Sequence, residues 1–485
     1  MVKLNKITGL VLAIFLSNAA YASVDLIAIA DLDGNYEDLA SETSERLENG
    51  VIGNRLGGIG SGLAYAGGNI FLGLPDRGPN ANLYNASVDD TVSYIDRFHT
   101  FEMMLTPNDI GAALPYNLTP IIKETTLLSS IKPLVYGTGD GIGNQVDGAT
   151  PMGSGAPSLN NRHRYYFTGR SDGFDATKLS TNPNNARLDP EGIRVSRDGK
   201  SVFITDEYGP FVYQFDRNTG VRINTFNLPT NLAITKLSAQ KDVEIAGNTV
   251  GRTTNKGMEG LAITPDGKTL VGAMQANLLQ DKKKSVRIVT IDIKSGVTHQ
   301  YAYLLTKGSG ISEIIAVNNH QFLVDERDGS GFGDTPNLDQ VASPAEEKKL
   351  FLIDLNGAQE VSDKSGDLAA YAMPKTLFLD LVEKLTDHGI NPYFIPSKIE
   401  GLAFGQDVII NGETKHTLYI TNDNDFLGMV ADPLASPADS SRGLVTNPNK
   451  IYVFAFGDDD LPAFVPQQIK QNRMRHEHEE QHNHW

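Results

Sequence analysis

Between residues 188 and 216 the chain alternates apolar and polar positions in short runs, LDPEGIRVS, SVFIT and FVYQFD, broken by RDGK and DEYGP. Period-two alternation over five or six residues marks strands packed on a sheet, and clusters of Gly, Asn and Asp supply the backbone angles of tight turns. The pattern predicts strands at 192–196, 201–205, 211–216 and 221–226. Four such strands make one antiparallel sheet with two bare edges, which a stable fold must cover or remove.

The unit repeats. GMEGLAITPDGKTLVGAMQ starts at Gly257, ISEIIAVNNHQFLVDERDG at Ile311, and KIEGLAF at Lys398, leading to HTLYITNDNDF; IGSGLAYAGGNIFLGLPDRGPN at Ile59 carries Ser61 where the others carry Glu191, Glu259, Glu313 and Glu400. The interval from Ser61 to Glu191 has room for a further unit, with HRYYFTG as a strand inside it. Radial repetition of four-stranded sheets is the propeller solution to exposed edges. The expectation is an all-β fold, a six-bladed β-propeller over 23–465 with seven blades also open, closed by VDLIAIADLD pairing near KIYVFAF. MPKTLFLDLVEKLTDHG adds one short inserted helix, with Leu377, Leu381 and Leu385 at helical spacing, Pro374 near its start and Gly389 past its end. The Gly-, Asn- and Ser-rich stretch 137–159 reads as a long loop, and the polar stretch 466–485, with His476, His478, His482 and His484, as a disordered tail.

The first residues change the setting. Lys3 and Lys6, an apolar run over 7–16 and the small residues Ala20 and Ala22 describe a secretory signal peptide over 1–22, cleaved near Ala22. The run is too short to cross a bilayer, so the expectation is a monomer that is periplasmic or secreted, without membrane insertion. The 485 residues include no cysteine, which excludes thiol catalysis, disulfides and cysteine zinc sites. The net charge of −17 becomes two units more negative once Lys3 and Lys6 are lost, which opposes binding to nucleic acid.

In a propeller the first strand of each blade is innermost, so acids at one position of several blades gather around the channel. Glu191, Glu259, Glu313 and Glu400 form the expected first ring. A second comes from the loops after strand two: Asp76, Asp206 and Glu207, the neutral Gln275, Asp325 and Glu326, then Asp423 and Asp425. Crowded carboxylates repel one another and raise their own pKa values unless a cation sits among them. Oxygen-only ligands favour Ca²⁺ over Mg²⁺ or Mn²⁺. A bound divalent ion would bridge this acidic protein to a small phosphate ester, with Glu191, Asp206, Glu207 and Glu259 nearest the chemistry and Arg77, Arg194, Arg327, Lys256 and Lys398 binding the phosphate.

Other patterns compete. GRSDG at 169–173 matches the G-x-S-x-G form of a serine esterase with Ser171 as nucleophile, but no helix follows it. Asp31, Asp33, Asn35 and Glu42 have EF-hand-like offsets, yet Tyr36 stands where glycine is needed. His99 and His163 lack an identifiable partner. The run LDPEGIRVSRDGKSVFITDEYGPFVYQFDRNTG, with GMEGLAITPDGKTLVGAMQ, KIEGLAF and SGLAY...LPDRGPN, resembles the phytase-like family, also called esterase-like activity of phytase, over roughly 56–456. That resemblance implies a secreted bacterial propeller that hydrolyses phosphoesters or esters. The Glu-Gly starts are also similar to those of calcium-dependent propeller phosphatases and alkaline propeller phytases, from which Ser61 and Gln275 depart. The reading is a metal-dependent phosphate-ester hydrolase; the alternatives are a non-catalytic, Ca²⁺-stabilised binding propeller and a carboxylester hydrolase.

Overall fold

The computed structural model describes residues 24–80 and 92–470. Five antiparallel sheets stand around a common axis, four of them four-stranded and the fifth extended by a short strand, Val408–Ile410. Blade 1 is Gly62–Tyr65, Ile70–Leu74, Arg97–Pro107 and Tyr116–Leu127; blade 2 is Pro190–Val195, Ser201–Asp206, Phe211–Asp216 and Arg222–Asn227. Blade 3 is Met258–Ile263, Thr269–Met274, Ser285–Asp292 and Thr298–Leu304; blade 4 is Gly310–Ala316, Gln321–Arg327, Lys348–Asp354 and Lys375–Asp380. Blade 5 is Ile399–Phe404, Glu413–Asn422 and Asn449–Phe456, and its outer strand is Asp25–Leu32 from the other end of the chain. Asp25 pairs with Ala455 and Leu32 with Asn449, so the first strand closes the ring on the last as the sequence predicts.

The blade number is five, not six or seven. The interval between Ser61 and Glu191 is taken up by the long hairpin of Arg97–Pro107 and Tyr116–Leu127 and by an irregular excursion over 128–189. Within the excursion HRYYFTG contributes only Tyr165–Tyr166, paired to Ser129–Ser130. Two two-residue strands cannot cover a blade face, and the segment instead packs against the flank of blades 1 and 2 through Leu128, Leu134, Phe167 and Ala186.

The inner strands are buried on both faces, because each sheet is sandwiched between neighbours. Phe203, Met258, Leu261, Val289, Ile314 and Phe322 join blades 2, 3 and 4 in one apolar cluster. Ile315, Leu323, Leu402, Leu418 and Phe454 seal blade 4 on blade 5; Leu63, Phe71, Tyr419 and Val453 seal blade 5 on blade 1; Ala64, Leu72, Ile193 and Ile204 seal blade 1 on blade 2. Burying apolar side chains on both faces of every inner strand is the main favourable term holding the ring.

The described residues contain two seven-residue α-helices. Leu381–Asp387 occupies the predicted place, capped by Asp380, whose carboxylate accepts from Glu383 N–H at 3.2 Å. It is shorter than its pattern suggested, because Lys375–Asp380 is the outer strand of blade 4 and Leu377 lies exposed on it. The second, Lys241–Gly247, lies between blades 2 and 3 and is too short to show a helical period. No helix among the described residues is long and apolar enough to cross a membrane. The expected signal peptide over 1–22 and the four tail histidines fall outside the described residues.

The inner strands approach one another too closely for side chains at one level. An added Cβ at Gly192 would meet Leu261 N at 2.7 Å, and one at Gly260 would meet Ile314 N at 2.7 Å. At Gly62 it would meet Glu191 O at 2.3 Å. These are backbone atoms of the next blade, which cannot yield without opening the ring. Gly260→Ala is therefore expected to cost about 1–3 kcal/mol through overpacking. Gly329→Ala, where nothing lies within 4 Å of the added carbon, should be close to neutral in the same chemical-denaturation measurement.

Candidate functional site

Four of the five inner strands carry a bulge at one level, that of blade 1 pairing in continuous register. The pairing skips between Pro190 and Ile193, between Met258 and Gly260, between Ile311 and Glu313, and between Ile399 and Gly401. The bulged residues are thus Glu191 with Gly192, then Glu259, Ser312 and Glu400; blade 1 has Ser61 at the matching place. Glu313 stands one step further along, at the level that is glycine in the other four blades. The sequence register for blade 4 is therefore off by one residue.

That step sends Glu313 to a different place. Its Oε1 accepts from Leu261 N–H and Ile314 N–H, both at 2.9 Å. Its Oε2 lies 2.9 Å from Arg194 Nη2 without the alignment of a hydrogen bond. Arg194 donates to the carbonyls of Leu63 at 2.8 Å and Ile314 at 3.0 Å, and to that of Ile193. One buried pair thus reaches the inner strands of blades 1 to 4. Arg194 lines a cavity at the opposite end of the axis, so it is not among the residues around the acidic mouth.

The acidic mouth is a cavity of about 210 Å³ lined by Glu191, Glu207, Glu259 and Glu400, with Arg77, Lys256, Arg327 and Lys398. Eight of the sequence-selected residues therefore meet there. Carboxylate oxygens of Glu191, Glu207 and Glu259 all lie within 4.8 Å of one another, although the three come from two blades. A second triplet, Asp76, Asp189 and Glu191, and a third, Asp76, Asp423 and Asp425, meet the same criterion and continue the chain of acids toward blade 5.

Several acids are matched by cations. Arg77 Nη1 donates to Asp189 at 2.7 Å. Arg327 donates to Ser312 Oγ and Glu400 Oε1, and Lys398 to Asp423 and, at 3.0 Å, to Asp425. The Glu191, Glu207 and Glu259 group has weaker support: Glu207 accepts from Gly257 N–H at 3.1 Å, and Glu259 accepts from the Gln275 amide at 2.9 Å with Arg327 3.9 Å away.

Most of these acids are shifted toward their protonated forms in consequence. Burial, then repulsion from Glu259, Asp189 and Glu207, pushes Glu191 well above the usual carboxylate range. Glu207 is raised by burial and by Glu259 and Asp189, and Asp76 by burial and Asp423. Burial and Glu400 bring Glu259 to about 7, against the pull of Arg327. Asp425 goes the other way: burial is its largest single influence and raises it, but Lys398, Arg77 and Arg327 together hold it below the usual carboxylate value. Clustered carboxylates that are too protonated for comfort are what a divalent cation would relieve.

Other selected residues lie elsewhere. Asp206 is buried at the end of its strand, where it accepts from Asp189 N–H at 3.3 Å and Tyr208 N–H at 3.0 Å; burial brings it to about 7. Glu326 accepts from Tyr303 Oη, from Thr306 N–H at 2.9 Å and from Lys375, between blades 3 and 4. Asp325 is buried, pushed well up by that burial against Arg327 and Lys348, and has no hydrogen-bond partner among the described residues. Ser171 is buried in a turn with its hydroxyl toward Ala239 O at 3.4 Å, and no helix follows it. His99 is buried against Thr125, with its pKa lowered to about 3 by burial and Arg97; Asp31 pairs with Lys450 and Asp33 caps its own turn.

Sequence reasoning missed Asp189, Asp96 and Asn255. Asp189 stands two residues before Glu191, and that i, i+2 spacing was its available signal. Asp96 is a lone acid in the apolar run SYIDRF, fully buried with neither oxygen partnered among the described residues. Asn255 lines the mouth in a left-handed backbone conformation, φ 55°, that only the fold reveals.

A sequence model of the Phytase-like family, described as esterase-like activity of phytase, matches residues 54–426, and the chain belongs to that family. An "Uncharacterized secreted protein" of the fungus Arthroderma benhamiae is 24% identical, covering 84% of this chain and 83% of its own. Among solved structures, a luciferin-regenerating enzyme covers 86% of this chain and 97% of its own at 11% identity and a TM-score of 0.32. The hydrazine synthase of Kuenenia stuttgartiensis covers 77% and 79% at 12% identity and a TM-score of 0.30. At such scores neither likeness bears on function.

The axial pair makes a test of the electrostatics. Burial is the largest influence on Glu313 and raises it from 4.5 to about 7, against Arg194 and the amides of Ile314 and Leu261. A folded pKa above the unfolded value gives stability that is full below the unfolded pKa and is lost as pH rises through the folded one. In chelator, the melting temperature should fall from about pH 5 to about pH 8, and less steeply in Glu313→Gln, which keeps the acceptor oxygen but does not titrate. An identical slope in the variant would show that Glu313 ionises normally.

Proposed function

We propose that this member of the phytase-like family is an exported hydrolase of small phosphate esters, working at the acidic mouth around a divalent cation. The observation that carries the reading is the Glu191, Glu207 and Glu259 group: three buried carboxylates within 4.8 Å, raised by burial and by the charge of neighbouring acids, on the wall of a cavity that also holds four cationic side chains.

The donor set fits a hard ion. Oxygen ligands without histidine or thiolate suit Ca²⁺ ahead of Mg²⁺ or Mn²⁺. Glu191, Glu207 and Glu259 would hold it, with Asp76 and Asp189 on the adjoining flank. A bound cation supplies Lewis acidity toward a phosphoryl oxygen and lowers the pKa of water beside it.

The rest is the work of the chain's own residues. Arg77, Arg327, Lys398 and Lys256 give the cavity the positive charge that an anionic ester needs in a protein of net charge −17. Glu400 is held at Oε1 by Arg327, while Oε2 has no hydrogen-bond partner among the described residues, so it can take up or return a proton beside the bound ester. Ile311 is the one large apolar side chain lining the mouth among the described residues, which offers little to a hydrocarbon acyl group and favours phosphate esters over carboxylesters. Export to a bacterial periplasm or beyond, as a monomer, completes the reading.

Screening phosphomonoesters and carboxylesters with and without chelator tests it. Phosphatase activity should vanish in chelator, return with Ca²⁺, and fall at least about tenfold in Glu191→Gln, a loss of roughly 1.4 kcal/mol of transition-state stabilisation. Full activity in chelator would remove the metal. A Ca²⁺-dependent rise in melting temperature without turnover of any ester would instead establish a non-catalytic, ion-stabilised propeller.

A further inference from the structure

The four cations of the mouth are not equivalent. Arg77 is held by Asp189, Arg327 by Glu400, and Lys398 by Asp423 and Asp425. Lys256 is exposed at the rim, and its partner among the described residues is neutral: Nζ donates to Gln275 Oε1 at 2.9 Å. The same amide donates through Nε2 to Glu259 Oε2 at 2.9 Å. Gln275 therefore links a cation to the acidic group without neutralising it. An acid at this place, as in the other second-strand loops, would pair with Lys256 and cancel its charge.

The turn that presents Lys256 is built for the rim. Lys256 N–H bonds Thr253 O at 3.1 Å, and Asn255 between them adopts φ 55°, a conformation that asparagine tolerates and most residues avoid. Asn255 Oδ1 is buried at the cavity wall without a hydrogen-bond partner among the described residues. A tight turn thus carries an unneutralised ammonium and an unused acceptor side by side above the carboxylate group.

Resting on the proposed function, we propose that the Asn255–Lys256 turn is the docking element for the substrate, with Lys256 binding a non-bridging phosphate oxygen, Asn255 Oδ1 accepting from a hydroxyl of the alcohol part, and Gln275 acting as the positioning residue. The substrate class is then a phosphate ester whose alcohol part carries a free hydroxyl. Such a ligand needs no apolar or aromatic wall, and among the described residues Ile311 is the one large apolar side chain lining the mouth.

Equilibrium dialysis of trace radiolabelled inorganic phosphate against the full chain, in sub-millimolar Ca²⁺, reads the docking element apart from catalysis. The parent should bind phosphate; Lys256→Met should weaken binding by about tenfold, the loss of one charge-assisted hydrogen bond. Gln275→Glu should weaken it comparably, because the new carboxylate pairs with Lys256, and Lys256→Arg should restore most of it. Melting temperatures should stay near the parent's in Lys256→Met, since the side chain is exposed. Parental affinity in Lys256→Met, or no phosphate bound by the parent, would overturn the docking element. Phosphate binding that depends on Lys256, with no ester turned over, would support it and remove the hydrolase reading; turnover with Lys256→Met unchanged in affinity would do the reverse.

Discussion

Close approach of the inner strands at the axis is the constraint from which the rest follows. Blades 1, 2, 3 and 5 have glycine at the narrowest level because an added carbon would strike the neighbouring blade, as at Gly62, Gly192 and Gly260, or its own second strand, as at Gly401. Blade 4 alone places a large side chain there, and Glu313 fills the axis together with Arg194. A carboxylate and a guanidinium taken from water are costly unless their remaining hydrogen-bonding groups are satisfied, and here backbone amides and carbonyls of four blades largely do so. The pair also separates the acidic mouth from the cavity at the other end.

The same convergence produces the chemistry. Directly above the glycine level, the bulged residues of blades 2, 3 and 5 are pushed toward the axis, so Glu191, Glu259 and Glu400 arrive together although they are distant in sequence. Loops add Glu207, Asp76 and Asp189, and also Arg77, Arg327 and Lys398. Acids outnumber cations, and burial denies them the solvent that would otherwise absorb the excess charge. Such a site holds protons or a metal ion, and its rim of cations is what admits an anion to it.

Much of this was legible in sequence. Period-two runs with Asp-Gly turns located the strands of blade 2 to within about two residues, and the terminal closure followed from two apolar strands at opposite ends of the chain. The blade count was not legible, because the excursion at 128–189 has the length of a blade but spends it on loops that cover blades 1 and 2. Glu313 was misplaced because a bulge shifts register by one residue, and ISEIIA matches MEGLAI equally well with or without that shift. Asp206 and Glu326 share the spacing of the mouth residues, and only the direction of their side chains at the ends of their strands sends them into structural hydrogen bonds. Asp189 was passed over because a proline follows it and the pair reads as a turn.

The central claim is that the carboxylates of the mouth gather around a divalent cation. An anomalous difference map from a crystal soaked in Mn²⁺ or a lanthanide tests it most directly. The account predicts a peak bounded by the carboxylates of Glu191, Glu207 and Glu259. A map without density there, with those side chains instead sharing protons or turned onto Arg327 and Gln275, would contradict it.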